Sequence, residues 1–120
     1  MTEGYKADEL KARTKRFALA VIGLFRELPR TDEARILGRQ LLRSGTSVAA
    51  NYRAVCRARS KAEFIAKLGV VVEEIDESVF WIELLAESGT LQRARLKSIE
   101  IEANELLAIF AASRNTAKSR

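Results

Sequence analysis

The chain has 120 residues, of which 48% are apolar and 31% charged, and its formal net charge is +5. This length suits a single domain spanning residues 1–120, and the composition is too apolar for a disordered chain and too charged for a membrane protein. The first ten residues are polar, which argues against a signal peptide, so we expect a cytoplasmic protein.

Reactive side chains are scarce. Histidine is absent, which removes the commonest general base and the commonest metal ligand. Cys56 is the only cysteine, so no intramolecular disulfide can form, and we predict a small buried packing residue there. The carboxylates Glu73, Glu74, Asp76 and Glu77 are scattered around a helix instead of converging on a metal site. We therefore expect no enzyme, no metal and no cofactor.

Few residues interrupt the helical pattern. Pro29 ends a first segment and Thr31 can cap the second, Ser60 begins a capping box before the third, and Gly89 and Thr90 can end the third and cap the fourth. Apolar residues recur at helical spacing in every segment. The predicted helices span about 6–28, 32–58, 61–88 and 91–114, followed by a frayed tail. Short connections predict an all-α, antiparallel up-down four-helix bundle.

The second segment sorts its residue types onto separate strips of one helix. Leu37, Leu41, Val48, Tyr52 and Val55 form its core face. Beside it lies a strip of small residues that would let another helix approach closely: Gly38, Gly45, Ala49 and Cys56. A kink at residues 44–46 is the alternative to a continuous helix.

A polar strip lies on the other flank of this core face. Its members are Gln40, Ser44, Ser47 and Asn51. Buried polar groups need partners, which the third segment can offer through Glu74 and Ser78 on one flank and Asp76 and Glu83 on the other. The strip is therefore either a hydrogen-bonded network that sets helix register or a polar ligand pocket.

The remaining strip is basic, and we call it the arginine face. It comprises Arg35, Arg39, Arg43, Arg53 and Arg57 within an arc of about 80°, with Arg59 and Lys61 just beyond. Guanidinium groups bind phosphates bidentately, so this face suits a nucleic-acid backbone.

The third segment differs from the others in charge. Residues 61–90 hold two Lys and seven Asp/Glu, a net charge of −5. Glu73, Glu77, Phe80 and Leu84 lie roughly opposite its core stripe, and an apolar pair bordered by charge is typical of a subunit contact. This acidic face could dock on the arginine face of another copy and close a ring. The arginines could thus bind nucleic acid, form a contact between subunits, or simply be solvated.

Three runs carry a family resemblance: RQLLRSGTSVAANYRA at 39–54, RSKAEF at 59–64 and EEIDES at 73–78. Together they resemble the bacterial four-helix bundle proteins related to the 23S ribosomal RNA intervening-sequence protein, over roughly residues 8–114. The resemblance implies a homopentameric ring and a similarity to the accessory protein of diversity-generating retroelements, which engages reverse transcriptase and nucleic acid. Many members have a glutamate shortly after the residue that matches Asn51, and this chain lacks it.

These observations predict a non-enzymatic oligomeric bundle that binds nucleic acid, RNA in preference to DNA, through its arginine face. The alternative is a protein-interaction adaptor that recruits a partner such as a polymerase or reverse transcriptase.

Overall fold

The computed structural model describes residues 2–120, and the side chains of residues 6–120. It contains four helices, α1 (Thr2–Glu27), α2 (Asp32–Val55), α3 (Lys61–Glu87) and α4 (Arg93–Lys118), and no strand within residues 2–120. The predicted all-helical class is confirmed. Helical structure is also continuous through residues 44–46, as expected for an unbroken α2.

The helix boundaries follow from local chemistry. Thr31 caps α2 by accepting a hydrogen bond from the Ala34 backbone N–H at 3.3 Å. Ser60 caps α3 in the same way, through the Glu63 backbone N–H at 3.1 Å. Gly89 has a φ of +73°, a conformation that favours glycine and ends α3. These predicted caps and stops are confirmed.

The cap predicted at Thr90 is wrong. Its hydroxyl lies 2.7 Å from the Ser88 hydroxyl instead, and the residue preceding α4 is Gln92, whose side chain makes no capping hydrogen bond. The Leu91 side chain packs against the core, and its backbone N–H donates to Leu85 O at 3.3 Å. This anchored residue lengthens the connection, so α4 begins at Arg93 and not at residue 91.

Two further predictions about chain ends are corrected. The tail expected to fray from residue 115 is helical through Lys118. Cys56, expected to be buried, is exposed. Cys56 lies at the C-terminal end of α2, which ends at Val55, three residues earlier than predicted, and it therefore stands at the end of the small-residue strip. It lines an open cleft near Lys6 and Phe64.

The core is one hydrophobic cluster to which all four helices contribute. The apolar stripes predicted from helical spacing point into it, and Val21, Val48, Ile75 and Leu106 have no exposed surface. The Phe110 ring packs on the Tyr52 ring with centroids 5.2 Å apart. Burial raises the pKa of the Tyr52 phenol above its ordinary value.

The small-residue strip of α2 faces α1. A Cβ added at Gly45 would lie 2.8 Å from Val21 Cγ2, and one at Gly38 would overlap the Leu28 side chain and lie 3.2 Å from Phe25 Cδ1. Real Cβ atoms do not approach so closely, so these glycines allow α1 and α2 to touch. The predicted close approach is confirmed, and its partner is α1.

Ion pairs bridge α1 and α4. These two helices make fewer contacts with each other than α1 makes with α2 and α4 makes with α3. Arg13 donates hydrogen bonds to Glu102 at 2.7 and 2.8 Å and to Glu105 at 2.6 Å. Glu27 pairs with Arg95 at the other end of the same seam. These ion pairs form a charged seam between α1 and α4 that closes the bundle. The sides of α1 and α4 that face the core remain apolar.

Gly45→Ala is expected to destabilise the fold even though alanine is the better helix former. Its methyl group would press on Val21, a buried β-branched residue, and overpacking costs about 1–3 kcal/mol against a propensity gain of about 1 kcal/mol. Gly23→Ala is the matched control, because nothing lies within 4 Å of its added Cβ, and it should stabilise α1. Urea unfolding of both variants checks the opposite signs, and a gain in stability at Gly45 would contradict the close packing.

None of the helices in the described part of the chain is long and apolar enough to cross a membrane. Within the same residues, no group of three or more Cys, Asp or Glu side chains could hold a metal ion.

Candidate nucleic-acid interface

The arginine face is fully on the surface. Arg35, Arg39, Arg43 and Arg53 project from α2, and all four are exposed. Arg57, Arg59 and Lys61 are exposed as well, but α2 ends at Val55, so Arg57 and Arg59 lie in the connection to α3 and Lys61 begins α3. The predicted stripe is therefore a helix face continued by a loop.

Arg43 differs from its neighbours because α3 supplies it with two carboxylates. Its guanidinium donates to Glu74 Oε2 at 3.1 Å and to Glu77 Oε1. These carboxylates raise the pKa of Arg43 and neutralise its charge in the middle of the arginine face. Two separate basic clusters remain, one at each end of α2.

The polar strip forms a smaller network than its composition suggests. Ser78 Oγ donates to Ser44 Oγ at 2.8 Å, and both side chains are buried between α2 and α3. The Asn51 side chain donates to Ser47 O at 2.8 Å within its own helix. Among residues 6–120 the side chains of Gln40 and Ser47 make no hydrogen bond, and Glu74 pairs with Arg43 instead of this strip.

Glu77, one of the two carboxylates that pair with Arg43, belongs to the acidic face of α3. Glu77 also accepts a hydrogen bond from Trp81 Nε1 at 3.2 Å, and the Phe80 ring packs edge-on against Trp81 at 5.0 Å. Phe80 is 50% exposed, Leu84 is half-buried and Glu73 is exposed. Arg43 thus connects the arginine face of α2 with the carboxylates of α3 inside one chain.

The Arg43–Glu77 contact should be visible in the pH dependence of stability. The Arg43 hydrogen bond lowers the pKa of Glu77 below its ordinary value of 4.5, so the pair stabilises the fold above about pH 4.5 and this contribution fades as pH falls through the lower folded pKa. Arg43→Gln should therefore lose stability at pH 6, with a difference from the native chain that narrows towards pH 3. Urea unfolding between these values measures it.

Arg35→Gln is the control for that experiment. It removes the same charge from α2, but its only ion pair among the described residues is with the exposed Asp32 at 3.5 Å. Its effect should be small at both pH values. A difference between Arg43→Gln and the native chain that stays constant from pH 6 to pH 3 would contradict the assigned contact.

Each basic cluster includes residues that the helical-wheel analysis missed. At the N-terminal end of α2, Arg26 and Arg30 join Arg35 and Arg39 around one cleft. At the other end, Lys67 lies beside Arg57 and Arg59, together with Glu63, whose carboxylate pairs with Lys67 at 3.8 Å. Arg26 and Arg30 stand on either side of Pro29, a helix-ending residue that is visible in the sequence. The position of Lys67 could not be predicted in this way, because it depends on how α3 packs beside α2.

The fold and these clusters define a small all-helical bundle protein with a basic surface divided between the two ends of one helix. The sequence profile of the 23S rRNA-intervening sequence protein family matches residues 8–112. The chain belongs to this family.

A solved structure supports the same assignment. The chain is similar to a protein with unknown function from the S23 ribosomal protein family of Bacteroides thetaiotaomicron. The two sequences are 30% identical, the match covers 92% of this chain and 98% of that one, and the TM-score is 0.84. No curated protein matches the chain.

Proposed function

We propose that this protein binds RNA through the arginine face, without catalysing a reaction, as an antiparallel bundle assembled into a homo-oligomeric ring in the cytoplasm. The observation that carries the RNA proposal is the group of exposed guanidinium side chains on the arginine face that have no acidic partner within residues 6–120, namely Arg39, Arg53, Arg57 and Arg59. An uncompensated cluster of this kind attracts phosphates.

The spacing of the two clusters suits an extended polyanion. Arg39 and Arg53 are fourteen residues apart on one helix, which corresponds to about 21 Å along its axis. A single small anion cannot reach both ends, whereas a nucleic-acid backbone presents phosphates along this whole distance. The family name also points to RNA, because it refers to a ribosomal RNA insertion.

Salt dependence tests the proposal directly. With four phosphate contacts per chain, the logarithm of the affinity for single-stranded RNA should fall with a slope of about −3 against the logarithm of the salt concentration. Raising the salt from 50 to 200 mM would then weaken binding about fifty-fold. A filter-binding titration at both concentrations measures this, and no binding at 50 mM would rule the proposal out.

The antiparallel order is supported by the ion pairs along the α1–α4 seam. Arg13 meets Glu102 while Glu27 meets Arg95, so higher residue numbers in α1 face lower ones in α4. Contacts of Gly38 with Leu28 and of Gly45 with Val21 have the same reversed order between α1 and α2.

The ring proposal, a homopentamer by the family resemblance, rests on the α3 surface. Phe80 and Leu84 are only partly covered and are bordered by Glu73, which leaves an apolar patch with an acidic edge. Because Arg43 is already occupied by Glu74 and Glu77, any acidic-to-basic docking between copies would use other arginines. Native mass in solution tests assembly, since a single chain has a mass of 13.4 kDa.

A further inference from the structure

A cleft lies at the end of the bundle where α1 turns into α2. Its volume is about 390 Å³, within the range of small-molecule sites. Four guanidinium-bearing side chains line it, Arg26 from the last turns of α1, Arg30 from the turn, and Arg35 and Arg39 from α2. No carboxylate is among its lining residues.

The floor of this α1–α2 cleft is apolar. It is made by Phe25, Leu28 and Pro29. Gly38 is the reason the floor exists, because its missing side chain lets Leu28 and Phe25 rest directly on α2. The cleft is therefore lined by both apolar side chains and guanidinium groups.

The positive charge of the rim is largely uncompensated within residues 6–120. Glu27, the carboxylate next to Arg26, pairs with Arg95 on α4. Arg35 has one ion pair, with Asp32 at 3.5 Å, whereas Arg26, Arg30 and Arg39 have none among these residues. Several guanidinium groups around one opening repel each other, so an anion held between them would relieve this repulsion.

We propose that the α1–α2 cleft binds a nucleoside phosphate, with its phosphate held by the arginine rim and its base lying against Pro29 and Phe25. Guanidinium forks match phosphate oxygens bidentately, and a base is a planar body that an apolar or aromatic surface accepts. This inference deepens the proposed RNA function, because the nucleotide is either free or the terminal nucleotide of an RNA chain.

Calorimetry with adenosine monophosphate, adenosine and inorganic phosphate tests the ligand class. The monophosphate should bind at least about tenfold more tightly than inorganic phosphate, and adenosine should not bind measurably, since both halves of the ligand are needed. A monophosphate that binds no more tightly than inorganic phosphate would overturn the proposal, because the apolar floor would then have no role.

Two double variants locate the site. Arg26→Gln with Arg30→Gln should weaken monophosphate binding at least about tenfold, while the matched pair Arg53→Gln with Arg57→Gln removes the same charge from the far end of α2 and should leave it unchanged. Equal effects of the two pairs would overturn the proposal, because binding would then follow net charge. Far-ultraviolet circular dichroism confirms that both variants remain helical.

The source of the nucleotide is distinguished with RNA that carries either a 5′-phosphate or a 5′-hydroxyl group. A preference of about tenfold for the phosphorylated end, lost in the Arg26/Arg30 variant, assigns the cleft to an RNA terminus. Equal binding of both RNAs, with monophosphate binding retained, assigns it to a free nucleotide. If the protein binds RNA but not the monophosphate, only the proposal of a nucleotide site in the cleft is overturned. If it binds the monophosphate but not RNA, only the RNA proposal is overturned.

Discussion

Replacing Arg39, Arg53 and Arg57 together with glutamine is expected to lower RNA affinity by at least about a hundredfold at low salt. Each lost charge-assisted hydrogen bond to a phosphate is worth about 1.5–3 kcal/mol, and a tenfold change in affinity corresponds to about 1.4 kcal/mol. The salt slope should also become shallower by about 2, since each single-strand phosphate contact contributes about 0.7. The same filter-binding titration used for the native chain measures both quantities.

The matched control removes three positive charges elsewhere. Lys15, Lys97 and Lys118 are exposed on α1 and α4, and none of them forms an ion pair within residues 6–120. Their replacement with glutamine should change affinity only a few-fold. If the two triple variants lose affinity equally, binding depends on overall charge, and the arginine face has no special role.

Arg43→Gln tests whether the neutralised arginine of the arginine face contributes less to RNA binding than the unpaired ones. Because Glu74 and Glu77 already occupy its guanidinium, we expect this variant to reduce RNA affinity less than any single replacement at Arg39, Arg53 or Arg57. The sequence alone would rank Arg43 with the others.

Phe110→Ala is expected to have the largest effect on folding, a loss of about 3–5 kcal/mol in the free energy of unfolding. The Phe110 side chain has no exposed surface, and its ring packs on the Tyr52 ring within the hydrophobic core. Small domains are stable by only about 5–15 kcal/mol, so this variant should lie near the limit of folding. Urea unfolding followed by circular dichroism measures the change.

Phe80→Ala is the comparison for the same residue type on the surface. Half of the Phe80 side chain is exposed, so its removal should cost the isolated chain less than about 1 kcal/mol. If Phe80 forms a subunit contact, the native mass of the Phe80→Ala variant should fall from that of the oligomer towards the 13.4 kDa of one chain. Equal losses of stability for both variants, independent of protein concentration, would contradict the placement of Phe80.

Local signals in the sequence were sufficient to locate the four helices. Pro29, Ser60 and Gly89 act through the backbone of their own neighbours, so their effects do not depend on the rest of the fold. Thr90 shows the limit of this reasoning. It is also a competent capping residue, but the packing of Leu91 against the core displaced the start of α4.

Helical periodicity also predicted which face of each helix is buried, because that property depends only on the order of residues along one helix. It predicted the exposed arginines of α2 for the same reason. It could not predict that Arg43 meets Glu74 and Glu77, since that contact depends on the rotation and axial register of α2 against α3, which side-chain packing sets.

The sequence by itself therefore determined the helices, their inner faces and the positive charge of one surface. The tertiary structure alone decided how that charge is distributed. It neutralised Arg43, turned Glu27 away towards Arg95, and brought Arg26 and Arg30 to the cleft beside Arg35 and Arg39. The physical reason is that a charge acts over distances set by the packing of neighbouring helices, whereas caps and periodicity act within a few residues of one chain segment.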